Sequence, residues 1–147
     1  MSQSLQHDIE AIADGLSASA DALHTRLVRL LRQRDDERGQ PGAPLISQAA
    51  MQALFDNEIA LRQRAGSLHL EAAVVATTGL GGAQQQLLDV VARARRTIDK
   101  VDRVKELIEL TGELLALGAA LASGKPERLA TPYEKVKHHL EALDLLE

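Results

Sequence analysis

Cysteine and tryptophan are absent from the 147-residue sequence, and aromatic residues make up only 1% of it. Without cysteine the chain has no disulfide framework, no thiolate metal ligands and no thiol nucleophile. Scarce aromatic residues remove the platforms on which single-stranded nucleic acids stack their bases. Acidic residues outnumber lysine plus arginine, 21 to 17. The net charge therefore gives no overall attraction to nucleic acid or acidic lipid, and we expect neither as a partner.

Long hydrophobic runs are missing as well. After the central glycine loop, residues 114–123 carry no charge, but this run is well short of the roughly 20 apolar residues that span a bilayer. Residues 1–10 have neither the positive stretch nor the apolar stretch of a secretory signal. We therefore expect a cytoplasmic protein without a membrane partner, whose 1–147 chain forms a single domain.

Helix-forming residues dominate what is present. The chain is rich in Ala, Leu, Arg, Glu and Gln and poor in β-branched residues, which favours helix over strand. Glycine and proline at 39–44, 77–82 and 124–126 divide it into four segments with apolar residues every three or four positions. The sequence predicts an all-α fold, an antiparallel bundle of three long helices plus a shorter C-terminal fourth helix. Thr131 and Pro132 predict the start of that last helix.

Folding the chain about its loops predicts which helices pair. Folding near Pro41 pairs the first two segments and places His69 near Asp14. The second segment has a second apolar face, and this pairing predicts that the first helix covers it. Folding about 79–82 predicts an antiparallel hairpin between the second segment and one continuous third helix. The second apolar face consists of Phe55, Ile59, Leu70 and Val74.

Two polar residues occupy heptad positions that normally carry apolar side chains. Glu58 of the second segment and Lys105 of the third fall within about one helical turn of each other in the predicted hairpin. We expect Glu58 to form an ion pair with Lys105 or Arg103 that sets the register of the helices. A catalytic glutamate tuned by a neighbouring cation is the alternative interpretation.

A basic stretch lies in the third segment. Two aspartates, Asp99 and Asp102, interrupt it, and no aromatic residue is interleaved with it. This pattern favours a solvated helix face over a docking site for a phosphate-rich partner. The candidate basic patch, including two residues from the second segment, is Arg62, Arg64, Arg93, Arg95, Arg96 and Lys100.

An acidic edge is predicted where the third and fourth helices pair. Its carboxylates are Glu106, Glu109, Glu113, Glu141 and Asp144. Such a group suits a hard divalent cation with a bound phosphate. Glu106 with Glu109 and Glu141 with Asp144 resemble the Glu-x-x-Glu and Glu-x-x-Asp motifs of the all-α nucleotide pyrophosphohydrolases of the MazG type. The resemblance covers about the last third of the chain and implies a Mg²⁺-dependent enzyme; acidic residues beside apolar heptads are also ordinary solvated decoration.

With no complete catalytic set, the sequence favours a non-enzymatic helical interaction module that needs no cofactor. Its partner is another protein or a second copy of itself, as for an adaptor, a secretion chaperone or an antitoxin-like or immunity-like binder. The Mg²⁺-dependent pyrophosphohydrolase is the first alternative. A membrane-acting helical protein that exposes residues 72–83 or 114–122 is the second.

Overall fold

A computed structural model describes residues 2–36, 46–78, 80 and 82–145 of the chain. The described residues form helices and no strand, which confirms the all-α prediction. A short 3₁₀ turn at Pro126–Arg128 precedes the last helix. The five α-helices are α1 (Ser2–Asp36), α2 (Gln48–Thr78), α3 (Gln84–Ile98), α4 (Val104–Ala122) and α5 (Ala130–Leu145). The loop predicted at 39–44 lies outside the described residues.

The helices pack in a ring. Helix α1 packs against α2 and α3, α2 packs against α4, and α5 closes the ring by contacting both α4 and α3. Helices α1 and α2 are antiparallel, because His69 Nε2 lies 2.9 Å from Asp14 Oδ1 while Arg62, earlier in α2, contacts Asp21, later in α1. The contact of His69 with Asp14 is the one predicted by folding near Pro41. The prediction of that contact is confirmed.

The predicted continuous third helix is broken, so the arrangement of three long helices and a short fourth is corrected. It ends at Ile98 and restarts at Val104 after a turn in which the amide of Val101 donates to the carbonyl of Thr97. No glycine or proline marks this turn. The segment concentrates β-branched residues and aspartate, which have low helix propensity, and buried Val101 anchors it to the core.

The break also corrects the predicted hairpin between α2 and the third segment. Helix α3 lies on α1, where Gly15 approaches so closely that an added Cβ would come 2.6 Å from Val91. Helix α4 turns back to lie on α2, and Asn57 Nδ2 donates to Thr111 Oγ1 at 2.8 Å across that contact. The two halves of the expected third helix, α3 and α4, thus pack mainly against different helices, α1 and α2 respectively.

Helix α5 forms the remaining wall of the core. Val136 and Leu140 are fully buried, and Tyr133 and Leu143 are partly buried against the same apolar cluster. Within the described part of the chain, none of the helices combines the length and apolar character needed to cross a membrane.

Candidate functional sites

A histidine held between two carboxylates lies at the contact of α4 with α5. Glu106 and Glu113 are two turns apart on α4, so their side chains project from the same face of that helix. His139 of α5 lies between them, with its side chain only 11% exposed. Its Nε2 lies 2.5 Å from Glu106 Oε2, and its Nδ1 contacts Glu113 Oε1.

These contacts favour the charged form of His139. Both ring nitrogens face carboxylate acceptors, and an imidazole donates from both only when it carries a positive charge. Burial disfavours that charge and lowers the pKa of His139, but the hydrogen bonds and charges of Glu113 and Glu106 together outweigh burial, so the pKa is raised above 6.5. The group is therefore an electrostatic clamp between α4 and α5.

Together with Glu109, this group contains carboxylate and imidazole side chains of the kinds that bind metal cations. Ligand atoms of Glu106, Glu109 and His139 all lie within 4.8 Å of one another. A groove of about 680 Å³ between α4 and α5 adjoins them and is lined by Glu109, Glu113 and Lys135. A cation would have to displace the proton that His139 shares with its carboxylates and tolerate the Lys135 ammonium nearby.

The structure brings together only part of the predicted acidic edge. Glu106, Glu109 and Glu113 adjoin His139, whereas Glu141 is exposed and Asp144 pairs with Arg93 of α3. The actual register between α4 and α5 places His139, and not the Glu141 to Asp144 pair, opposite the glutamates. The sequence did carry a signal for this, because His139 follows Val136 at the spacing of the buried stripe of α5.

We predict that Mg²⁺ or Mn²⁺ does not bind specifically at the acidic edge, since Glu106 and Glu113 are already bound to His139. Titration calorimetry at neutral pH measures this directly, with the Glu109→Gln variant as the control. A tight stoichiometric site that Glu109→Gln abolishes, or turnover of a nucleoside triphosphate, would contradict the prediction and promote the enzyme interpretation.

Glu58 has different partners from those predicted. It is 7% exposed, accepts from Arg62 Nε at 3.2 Å, and lies 3.0 Å from His24 Nδ1 of α1. Arg62 also donates to Asp21 of α1 at 2.8 Å, a bond that raises the pKa of the guanidinium. Glu58 thus joins α2 to α1, not to α4.

The expected ion pair of Glu58 with Lys105 or Arg103 is absent from the described residues and is corrected. Asn57, one position earlier, is the residue of α2 that faces α4. Glu58 is rotated about 100° from it around the helix and faces α1. Lys105 and Arg103 are both exposed.

Replacing Glu58 by leucine is expected to preserve or raise stability, with a change within about 1 kcal/mol. Burial of an apolar side chain replaces burial of a charge, and Arg62 keeps Asp21 as a partner. Urea unfolding of the Glu58→Leu and Glu58→Gln variants tests this. A loss of several kcal/mol in Glu58→Leu would show that the charge itself stabilises the fold.

The candidate basic patch is dispersed. Arg62 faces α1, Arg93 pairs with Asp144 of α5, and the aliphatic part of Arg64 lies where a Cβ on Gly118 would come 2.8 Å from its Cγ. Arg95 and Arg96 are exposed on α3, and Lys100 is exposed in the turn between α3 and α4. These positions do not form one surface for a phosphate-rich partner.

The second apolar face of α2 is exposed, which corrects the expectation that α1 covers it. We call the four residues of this face, Phe55, Ile59, Leu70 and Val74, the α2 outer face. Helix α1 and helix α4 contact the opposite side of α2, which carries Leu54, Leu61 and Leu68. The outer face has these exposed fractions: Phe55 41%, Ile59 49%, Leu70 89% and Val74 67%.

Comparison with known proteins gives no match. No protein-family model, no curated protein and no solved structure matches the chain. The resemblance of the acidic residues to the pyrophosphohydrolases therefore has no support from these comparisons.

Proposed function

We propose that the chain is a non-enzymatic helical interaction module of the cytoplasm, an adaptor, secretion chaperone or antitoxin-like binder, and that the α2 outer face is its protein-docking surface. The observation that carries the proposal is the exposure of four large apolar side chains on one helix face. Exposed apolar residues are normal singly, but several along one face are typical of an interaction site.

The core does not need the outer face. Leu54, Leu61 and Leu68 of α2 are fully buried, so α2 already contributes a complete apolar stripe to the fold. Successive residues are rotated by about 100° around a helix, and this places the outer face on nearly the opposite side of α2 from that stripe. Its apolar side chains are therefore available to another protein without rearrangement of the bundle.

Leu70→Glu tests the docking surface with little risk to folding, because the side chain is 89% exposed. Ala92→Glu, an exposed position on α3, is the control with the same charge change. Tagged wild-type and variant chains are used to retain proteins from a lysate of cells that also express the untagged chain. Proteins that Leu70→Glu loses and Ala92→Glu keeps support the proposal; retention of the same proteins by both variants contradicts it.

A Mg²⁺-dependent phosphohydrolase is the second candidate, favoured by the clustering of Glu106, Glu109 and His139. In that function the carboxylates would bind the cation and the adjoining groove between α4 and α5 would admit a phosphate ester. The calorimetric experiment on Glu109→Gln separates the two candidates, because the interaction module requires no metal.

A further inference from the structure

We infer that the α2 outer face binds the α2 outer face of a second copy of this chain, as an antiparallel, two-fold symmetric helix pair. The inference rests on the proposed function and names the protein that occupies its docking surface.

The spacing of the outer face is self-complementary. Phe55 and Val74 are equally distant from the point midway between residues 64 and 65, and so are Ile59 and Leu70. A two-fold axis through that point places Phe55 opposite Val74 of the second copy. The same axis places Ile59 opposite Leu70 of the second copy, so every large apolar residue of the face meets another. A two-fold interface uses one patch on both subunits, which requires such self-complementarity.

The charges beside the face are compatible with this register. Asp56 lies opposite Ala73 of the second copy, and Arg62, whose side chain turns to α1, is level with Ser67 of the second copy. Arg62 is in addition neutralised within its own chain by Asp21 and Glu58. No like charges meet at these two positions, as a compatible pairing requires. Glu71 is level with Glu58 of the second copy, but Glu58 is buried against its own α1 and paired there with His24 and Arg62.

Gly66 supplies an independent observation. It lies inside α2 with ordinary helical backbone, where glycine is destabilising relative to alanine. Close packing within the chain does not explain it, because a Cβ added there would meet nothing within 4 Å. Gly66 is next to the proposed axis, where it faces Gln63 of the second copy. A missing side chain at this point lets the two backbones approach closely.

The size of the face sets the expected strength of the pair. From Phe55 to Val74 the stripe is about 28 Å long, and one helix face of that length is smaller than the roughly 800 Å² per partner of a stable interface. We therefore expect a dimer that dissociates on dilution. In sedimentation equilibrium the mass should rise from one chain towards two between roughly 10 μM and roughly 1 mM.

Two leucine substitutions test the contact. Gly66→Leu should abolish the increase in mass without lowering the thermal midpoint, because the added side chain clashes only with the second copy. Gly112→Leu is the matched control, since Gly112 is also a helical glycine whose Cβ would meet nothing within 4 Å, but it lies on α4. The control should still dimerise. Dimerisation of Gly66→Leu at the wild-type concentration would overturn the inference.

Cysteine cross-linking tests the register, because the chain has no cysteine of its own. An equimolar mixture of Ile59→Cys and Leu70→Cys chains should form disulfide-linked dimers on mild oxidation. Either variant alone should not, because its two cysteines would be about 16 Å apart along the pair, beyond the roughly 7 Å reach of a disulfide. Cross-linking of Ile59→Cys with itself would show a parallel pair and overturn the register.

The outcomes separate this inference from the proposed function. A wild-type chain that stays monomeric at 1 mM and forms no mixed disulfide overturns self-pairing. If Leu70→Glu still loses a protein that wild type retains, the docking surface stands with a different occupant. If Leu70→Glu also retains every protein that wild type retains, both self-pairing and the docking surface are wrong.

Discussion

A chain that ends at Pro126 is expected to lose several kcal/mol of unfolding free energy and to self-associate. Truncation removes α5 and with it the fully buried Val136 and Leu140 and the buried Leu129. It also removes Tyr133 and Leu143, which are partly buried against the core. Burying the four of these side chains that lie on α5 contributes on the order of 6 to 10 kcal/mol before the entropy of ordering the helix is subtracted.

The self-association follows from what truncation exposes. Leu107, Leu110 and Leu114 of α4 are buried in the intact protein, and α5 is a principal neighbour of α4. Without α5 an apolar groove opens between α3 and α4, and another chain can fill it. Light scattering and thermal unfolding of the truncated chain measure both effects. A monomer with an unchanged thermal midpoint would show that α5 contributes nothing to the fold.

Single substitutions test whether α5 stabilises the protein through its buried side chains. Leu140→Ala should cost roughly 2 to 5 kcal/mol, the range for large-to-small changes in a core. Glu141→Ala, at the exposed neighbouring position, should change stability by less than about 0.5 kcal/mol. Equal effects of the two variants would contradict the assignment of α5 to the core.

Local periodicity was enough to predict the all-α fold and one helix pairing. The spacing of apolar residues identified α1 and α2, and folding them near Pro41 placed His69 beside Asp14, as observed. That register could be predicted because α1 and α2 are consecutive long helices, which have few ways to pair along their whole length. The break between Ile98 and Val104 could not be predicted in this way, because it contains no glycine or proline and depends on Val101 being buried in the core.

The sites depended on that break. Once the third segment is divided, α4 turns towards α2 and Glu58 is left facing α1, so a prediction based on one continuous helix paired Glu58 with the wrong cations. Helix α2 has apolar residues on two faces, and sequence alone does not show which face lacks a neighbour. The contact of His139 with Glu106 and Glu113 depends on the register between α4 and α5, which differs from the one predicted.

The stability of the protein is expected to fall as the pH rises above 6.5, and His139 is expected to cause the fall. The pKa of His139 in the folded chain is raised above its ordinary value of 6.5, so folding takes up a proton in this range. The stabilisation is fully present below 6.5, where the unfolded chain is protonated as well. It is lost as the pH rises through the higher pKa of the folded state.

His139→Gln removes this dependence. Below pH 6.5 the variant should be less stable than wild type by on the order of 1 to 3 kcal/mol, because two half-buried carboxylates lose a charged hydrogen-bond partner. The difference should shrink as the pH rises and His139 of the wild type loses its proton. Urea unfolding from pH 5.5 to pH 9, a range of roughly 3.5 pH units around the histidine titration, measures the difference at each pH.

His138→Gln is the matched control, because His138 is the adjacent residue and is exposed. Its stability curve should follow that of wild type across the whole range. Proton NMR titration of the imidazoles gives a second readout, in which the His139 resonance should shift at a higher pH than 6.5. Parallel stability curves for wild type and His139→Gln would mean that the imidazole is not charged between Glu106 and Glu113, and the electrostatic clamp between α4 and α5 would be wrong.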